Sequence, residues 1–161
     1  MSRPSEIKLL LSQLDDAYDR PAWHGPNLRG CIRTVRAAQA LWRPGPRRHN
    51  IAEIAVHCAY WKYAASRRLL GEKRGSFPMK GSNWFALPAR LTDRQWREYV
   101  ALLDEQHRRL RGAVEGLSPR RLSEIPPGGR IPNAKVIYGI AAHDVYHAGQ
   151  IRLLKALRGG R

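Results

Sequence analysis

Cysteine, methionine and phenylalanine are scarce, with two of each in 161 residues, and acidic side chains are outnumbered by basic ones, 13 to 29. Two cysteines, Cys31 and Cys58, make no disulfide framework and no CxxC redox or zinc signature, which excludes a disulfide-stapled scaffold and a cysteine-rich zinc module. They read as small buried thiols. Long hydrophobic runs are missing too: charge interrupts each one well before the about 18 apolar residues a membrane helix needs. The segment Met1–Glu6 is polar, with no secretory pattern after it. A cytoplasmic protein with no membrane partner is expected. No long stretch alternates apolar with polar residues, which argues against a sheet.

What is present is ordinary globular usage, 43% hydrophobic and 26% charged, which excludes a disordered chain. The length suits one core, so a single domain over residues 1–161 is expected. The net charge of +16 invites a nucleic-acid reading, but its arrangement disfavours one. Arg47-Arg48, Arg67-Arg68, Arg108-Arg109 and Arg120-Arg121 fall in four different segments, and no zinc finger, RNA-binding aromatic signature or basic tail accompanies them. Solvated basic faces explain most of this charge. Attraction of an anionic small-molecule substrate is the remaining functional reading.

Four helical segments are separated by proline and glycine punctuation, which predicts an all-α, four-helix protein. The first runs from Ser5 to Tyr18, and an amphipathic piece from Leu28 to Leu41 adds a partial helix. The second main helix follows Asn50, with Glu53 three residues on completing a capping box and Gly71 as its stop. The Gly/Pro-rich stretch from Lys73 to Pro88 reads as a long crossover connection between helices 2 and 3, or as a binding loop. Thr92 opens the third helix, which ends near Gly116. After the Ile125–Pro132 loop the last helix runs from Ala134 to Leu157, and Gly159-Gly160-Arg161 reads as a frayed end.

The core stripe of the last helix reads Val136, Ile140, His143, His147, Ile151 and Leu154, so two histidines occupy inward positions. Four residues apart on a helix, they project about 40° from each other and lie one turn along, so two imidazoles can grip one ion from the same side. That is the spacing of the HExxH zinc motif without its glutamate. By itself the pair is equally compatible with hydrogen-bonded packing. His57, between Ile54 and Trp61 on the second helix, lies on the same kind of inward face and can supply a third ligand across the core. Three protein ligands with positions left open mark a catalytic rather than a structural ion. Imidazoles suit several divalent metals, with zinc the first expectation and nickel the second.

Around this triad, Glu53 reads as a helix cap or as a partner or general base at the ion, and Asp144 as a solvated or helix-contacting group or an imidazole-orienting one. Tyr60, Tyr146 and Gln150 are candidates for pocket lining. His24, His49 and His107 read as ordinary surface or hydrogen-bonded histidines, and Trp61, Trp84, Trp96 and Tyr60 chiefly as core packing.

The stretch from Ile51 to Lys62, with His57 inside it, and the string HDVYHAGQI from His143 to Ile151 resemble the DinB-like (DinB/YfiT-like) family of metal-dependent enzymes. The resemblance covers nearly the whole chain. It implies an up-and-down four-helix bundle with a long crossover, and a metal-binding triad at His57, His143 and His147. It also implies that homodimers are common and that some members are thiol S-transferases using bacillithiol, mycothiol or a similar low-molecular-weight thiol. Two functions are therefore expected in turn. The first is a divalent-metal enzyme acting on an anionic or thiol-reactive small molecule, as a thiol S-transferase or a hydrolase. The second is a non-catalytic metal-binding or small-ligand-binding protein of the same fold.

Overall fold

Helix α4, Ile51–Leu70, is the element around which the others pack, and its sequence explains why. Nine consecutive residues, Ile51 to Ala59, are buried, so this helix has no solvent face over its first half. Alanines at 52, 55 and 59 let neighbouring helices come close. Its start is fixed by a capping box: the Asn50 side chain accepts from the Glu53 N–H, and the Glu53 carboxylate accepts from the Asn50 N–H. Its end is fixed by Gly71 at φ 69°, a left-handed conformation that favours glycine.

The structure is a computed structural model and describes residues 5–73 and 75–159; Gly160 and Arg161 of the expected frayed end lie outside them. The remaining helices are α1 (Glu6–Tyr18), α2 (Leu28–Ile32), α3 (Ala37–Ala40), α5 (Asp93–Glu115) and α6 (Asn133–Gly159), with a 3-10 turn at Pro119–Leu122. Helix α4 packs on α5 and α6, and α1 packs on the same two. The protein is all-helical, and no strand forms among the described residues. Nor is any helix there long and apolar enough to cross a membrane.

The expected partial helix from Leu28 to Leu41 is two short helices, and the break is held from a distance. Asp93, at the start of α5, accepts a hydrogen bond from the Ala37 N–H at 2.8 Å, and Trp96 Nε1 donates to the Val35 carbonyl at 2.7 Å. The Ala37 N–H would otherwise be open at the start of α3, and the Val35 carbonyl lies in the connection just before it. Partners 56 and 61 residues away lie beyond any local pattern.

The apolar interior divides into two clusters along the helices. One gathers α2, α3, the first halves of α4 and α5 and the last part of α6, around Leu28, Ile54, Leu103 and Ile151. The other gathers α1, the end of α4, the end of α5 and the start of α6, around Leu14, Leu69, Leu110 and Ile137. Between them each of α4, α5 and α6 contributes a buried polar side chain: Lys62, His107 and Asp144. Lys62 Nζ donates to Asp144, with both side chains fully excluded from solvent. The ammonium also lies 4.9 Å above the Tyr18 ring, which stacks on His107. This polar layer leads to the histidines, because Asp144 follows His143 in the chain.

Candidate metal centre

His57 reaches inward from the middle of α4, and His143 and His147 face it from successive turns of α6. Their Nε2 atoms converge: His143 Nε2 lies 3.0 Å from His57 Nε2 and 3.1 Å from His147 Nε2. Three nitrogens sharing an ion at about 2.05 Å stand about 2.9 Å apart at right angles and about 3.3 Å apart in a tetrahedron. Both of these spacings fall between the two values, and ring nitrogens of all three histidines lie within 4.8 Å of one another.

Hydrogen bonds on the far side of two rings fix which nitrogen is bare. His57 Nδ1 is 2.8 Å from the Asn83 carbonyl oxygen, an acceptor, so Nδ1 carries the proton and Nε2 presents a lone pair. His147 Nδ1 stands 2.7 Å from Gln150 Oε1, and Gln150 Nε2 donates to the Tyr146 hydroxyl at 3.0 Å, which aligns the amide. Two lone pairs therefore point at His143 Nε2. A proton on that atom satisfies one of them well; a cation satisfies all three nitrogens. The arrangement is the donor set and outer hydrogen bonding of a histidine metal centre, so His57, His143 and His147 can hold a metal ion.

The electrostatics agree. Burial first, and then repulsion from His147, His57 and Lys62, holds the His143 imidazole down to about 3. Burial brings His147 to about 4 against the opposing bond from Gln150, and burial also lowers His57 against the Asn83 carbonyl. All three rings are neutral near pH 7, the form a metal requires. Cys58, His143 and Asp144 form a second close group. It is a poorer donor set, since burial raises the Cys58 thiol well above its usual range and Asp144 is committed to Lys62.

The connection between α4 and α5 supplies more of the centre than its composition suggests. Asn83, at φ 62°, gives its carbonyl to His57 and its side-chain oxygen to Trp61 Nε1 at 3.0 Å. Trp84 stacks on the His57 ring at 3.9 Å and on His49 at 3.5 Å, both nearly parallel to it. Two rings that close and parallel to one indole must occupy its opposite faces.

The other sequence candidates are placed as follows. Glu53 stands away from the triad. It accepts from Arg43 at 2.5 and 2.8 Å, from His49 Nδ1 at 3.1 Å and from the Asn50 N–H at 3.2 Å. Burial pushes its carboxyl up, but these bonds outweigh that and hold it below the usual range. Tyr60 packs against Trp61, Phe77 and Phe85 and lies outside the cavity at the triad. Tyr146 and Gln150 do line that cavity, whose volume is about 690 Å³. Asp144 is buried against Lys62 rather than solvated. Trp96 is core, and His24 is exposed. His107 is not a surface group but is buried, with burial lowering it to about 2; at 4.0 Å from Asp15 it stays neutral.

Sequence reasoning missed Asn83 and Lys62, and it read His49 as an ordinary histidine and Trp84 chiefly as core packing. His49 carried one local signal, its spacing of four from Glu53 beside the Asn50 cap. Asn83 and Trp84 sit in irregular chain, and their only signal was the reading of 73–88 as a crossover or a binding loop.

No curated protein and no solved structure matches the chain. A family profile does, over residues 22–151, more than three quarters of the sequence and all three converging histidines. On that match the chain belongs to the DinB superfamily.

Proposed function

We propose that this protein is a divalent-metal-dependent enzyme acting on a small molecule, as a thiol S-transferase or a hydrolase. The observation that carries the reading is the convergence of three neutral Nε2 atoms, two of them oriented by acceptors behind the rings, at a cavity of about 690 Å³. The scaffold is read as an up-and-down four-helix bundle of α1, α4, α5 and α6, with the α4–α5 connection as the long crossover. Zinc is the first choice of metal and nickel the second.

A divalent ion held by three neutral ligands keeps its full charge and open positions, so it supplies Lewis-acid chemistry and lowers the pKa of a water or a thiol. The chain's own residues do the rest. Asn83 and Gln150 keep Nε2 of His57 and His147 unprotonated and aimed. Trp84 covers one face of His57 and limits water there. Arg47 and Arg48 line the cavity and favour an anionic substrate.

The test is a metal-dependent activity screen with low-molecular-weight thiols and electrophilic acceptors, and with hydrolysable esters and amides, on the wild type and on His147→Ala. Turnover that needs added metal and is lost in the variant supports an enzyme. Metal-loaded protein inert to the whole panel would favour the non-catalytic binding protein.

A further inference from the structure

The cavity over the triad is lined unevenly, and the unevenness describes a ligand. One segment contributes cations: Arg47 and Arg48, followed by His49, come from the chain before α4. Another contributes apolar side chains: Leu153, Leu154 and Leu157 come from the last two turns of α6. Among the described residues no aspartate or glutamate lines the cavity.

The two arginines differ from four others that are tied down by carboxylates. Arg29, Arg43, Arg109 and Arg111 each meet a carboxylate within 2.9 Å. Arg47 and Arg48 form none of the ion pairs found among the described residues, and nearby Glu53 is already taken by Arg43 and His49. Arg47 also holds φ 57°, a left-handed conformation that side chains other than glycine, asparagine and aspartate rarely adopt. A free-standing cation kept in a strained backbone at a cavity rim is a feature that packing does not require. Leu153 and Leu157, which line the same cavity, are 60% and 48% exposed, an apolar surface on that space.

We propose that the cavity takes an amphiphilic organic anion, a carboxylate or phosphate ester on an apolar body, with its head at Arg47 and Arg48 and its body along Leu153, Leu154 and Leu157. Inorganic anions lack the part that the leucines cover, and neutral lipophiles lack the part that the arginines hold. The inference rests on the reading of this cavity as a small-molecule site, and it does not depend on which reaction follows. A volume of about 690 Å³ is that of an ordinary small-ligand pocket.

The test is isothermal titration of the full-length protein, zinc-loaded and metal-free, with octanoate, octyl phosphate, octanol, acetate and inorganic phosphate. Octanoate or octyl phosphate should bind one per chain, roughly tenfold or more tighter than octanol or the matching small anion. Which of the two binds tighter identifies the head group. The double variants Arg47→Gly/Arg48→Gln and Leu153→Ser/Leu157→Ser alter exposed side chains, and each should weaken that binding by roughly tenfold while leaving zinc stoichiometry unchanged. Octanol equal to octanoate, acetate equal to octanoate, or variants that bind like the wild type would overturn the proposal. So would sedimentation showing a dimer that Leu153→Ser/Leu157→Ser dissociates and octanoate leaves intact, because the leucines would then be a subunit contact. Zinc binding with no amphiphile binding sinks this inference and leaves the metal reading standing; amphiphile binding with no zinc binding does the reverse.

Discussion

Replacing Lys62 with methionine removes the counter-charge of Asp144 in the interior, where both side chains are fully buried and Asp144 Oδ1 already lacks a hydrogen-bond partner. Deleting one member of a buried ion pair costs about 3–5 kcal/mol, because the other is left as an uncompensated charge. The carboxylate can escape by taking up a proton, which bounds the electrostatic cost independently. From an ordinary carboxylate value near 3.9, protonation costs about 1.4 kcal/mol per pH unit, hence about 4 kcal/mol at pH 7 and about 1.5 kcal/mol at pH 5. The sign follows: burial raises Asp144, and without Lys62 its folded pKa rises further above the unfolded value, so the variant loses stability as pH increases. Urea unfolding of metal-free wild type and Lys62→Met, compared at each pH, measures the difference. It should be largest at pH 7 and shrink by about 2 kcal/mol or more at pH 5. In Lys62→Met/Asp144→Leu, which replaces the pair with apolar groups, most of the loss should be recovered. A cost below about 1 kcal/mol at pH 7, or one independent of pH, would refute a charged buried pair.

Three further outcomes are expected of the same protein. His107, His143 and His147 are held at about 2, 3 and 4, below the unfolded value, so the stability their neutrality provides is complete above pH 6.5 and is lost as pH falls toward those values. Metal-free protein should therefore lose roughly 2 kcal/mol per histidine between pH 7 and pH 5, read as a falling urea midpoint, and a flat midpoint contradicts it. Gln150→Leu removes the acceptor behind His147 and should weaken metal binding about 10–100-fold with little change in unfolding; unaltered affinity would deny Gln150 that role. Arg47→Gly relieves the backbone at φ 57° and should raise stability by up to about 1 kcal/mol in thermal unfolding, whereas a clear loss would mean that Arg47 serves packing instead.

Much of the fold was legible because its boundaries are set locally. Asn50 with Glu53, Thr92, and Gly71 are short-range signals that work within one turn, and each performs in the structure the capping or stopping its chemistry allows. His143 and His147 were legible for the same reason, since a spacing of four on an apolar stripe fixes their common direction. Whatever depends on a partner far along the chain was hidden. The break before α3 needs Asp93 and Trp96 of α5, and the burial of Lys62 needs Asp144, 82 residues away. A lysine and an aspartate read singly are surface residues; only the pairing makes their burial tolerable. The loop that carries Asn83 and Trp84 has no periodicity, so its contribution behind and over His57 appears only in three dimensions.

Elemental analysis of protein purified without a nickel column, together with zinc titration of the metal-free form, bears most directly on the three converging histidines. One divalent ion per chain is expected in the wild type, with tight one-to-one zinc uptake that His57→Ala, His143→Ala and His147→Ala each abolish or weaken by orders of magnitude while the helical content is kept. Folded wild-type protein that arrives without metal and takes up zinc no better than the His147→Ala variant would contradict the metal centre itself.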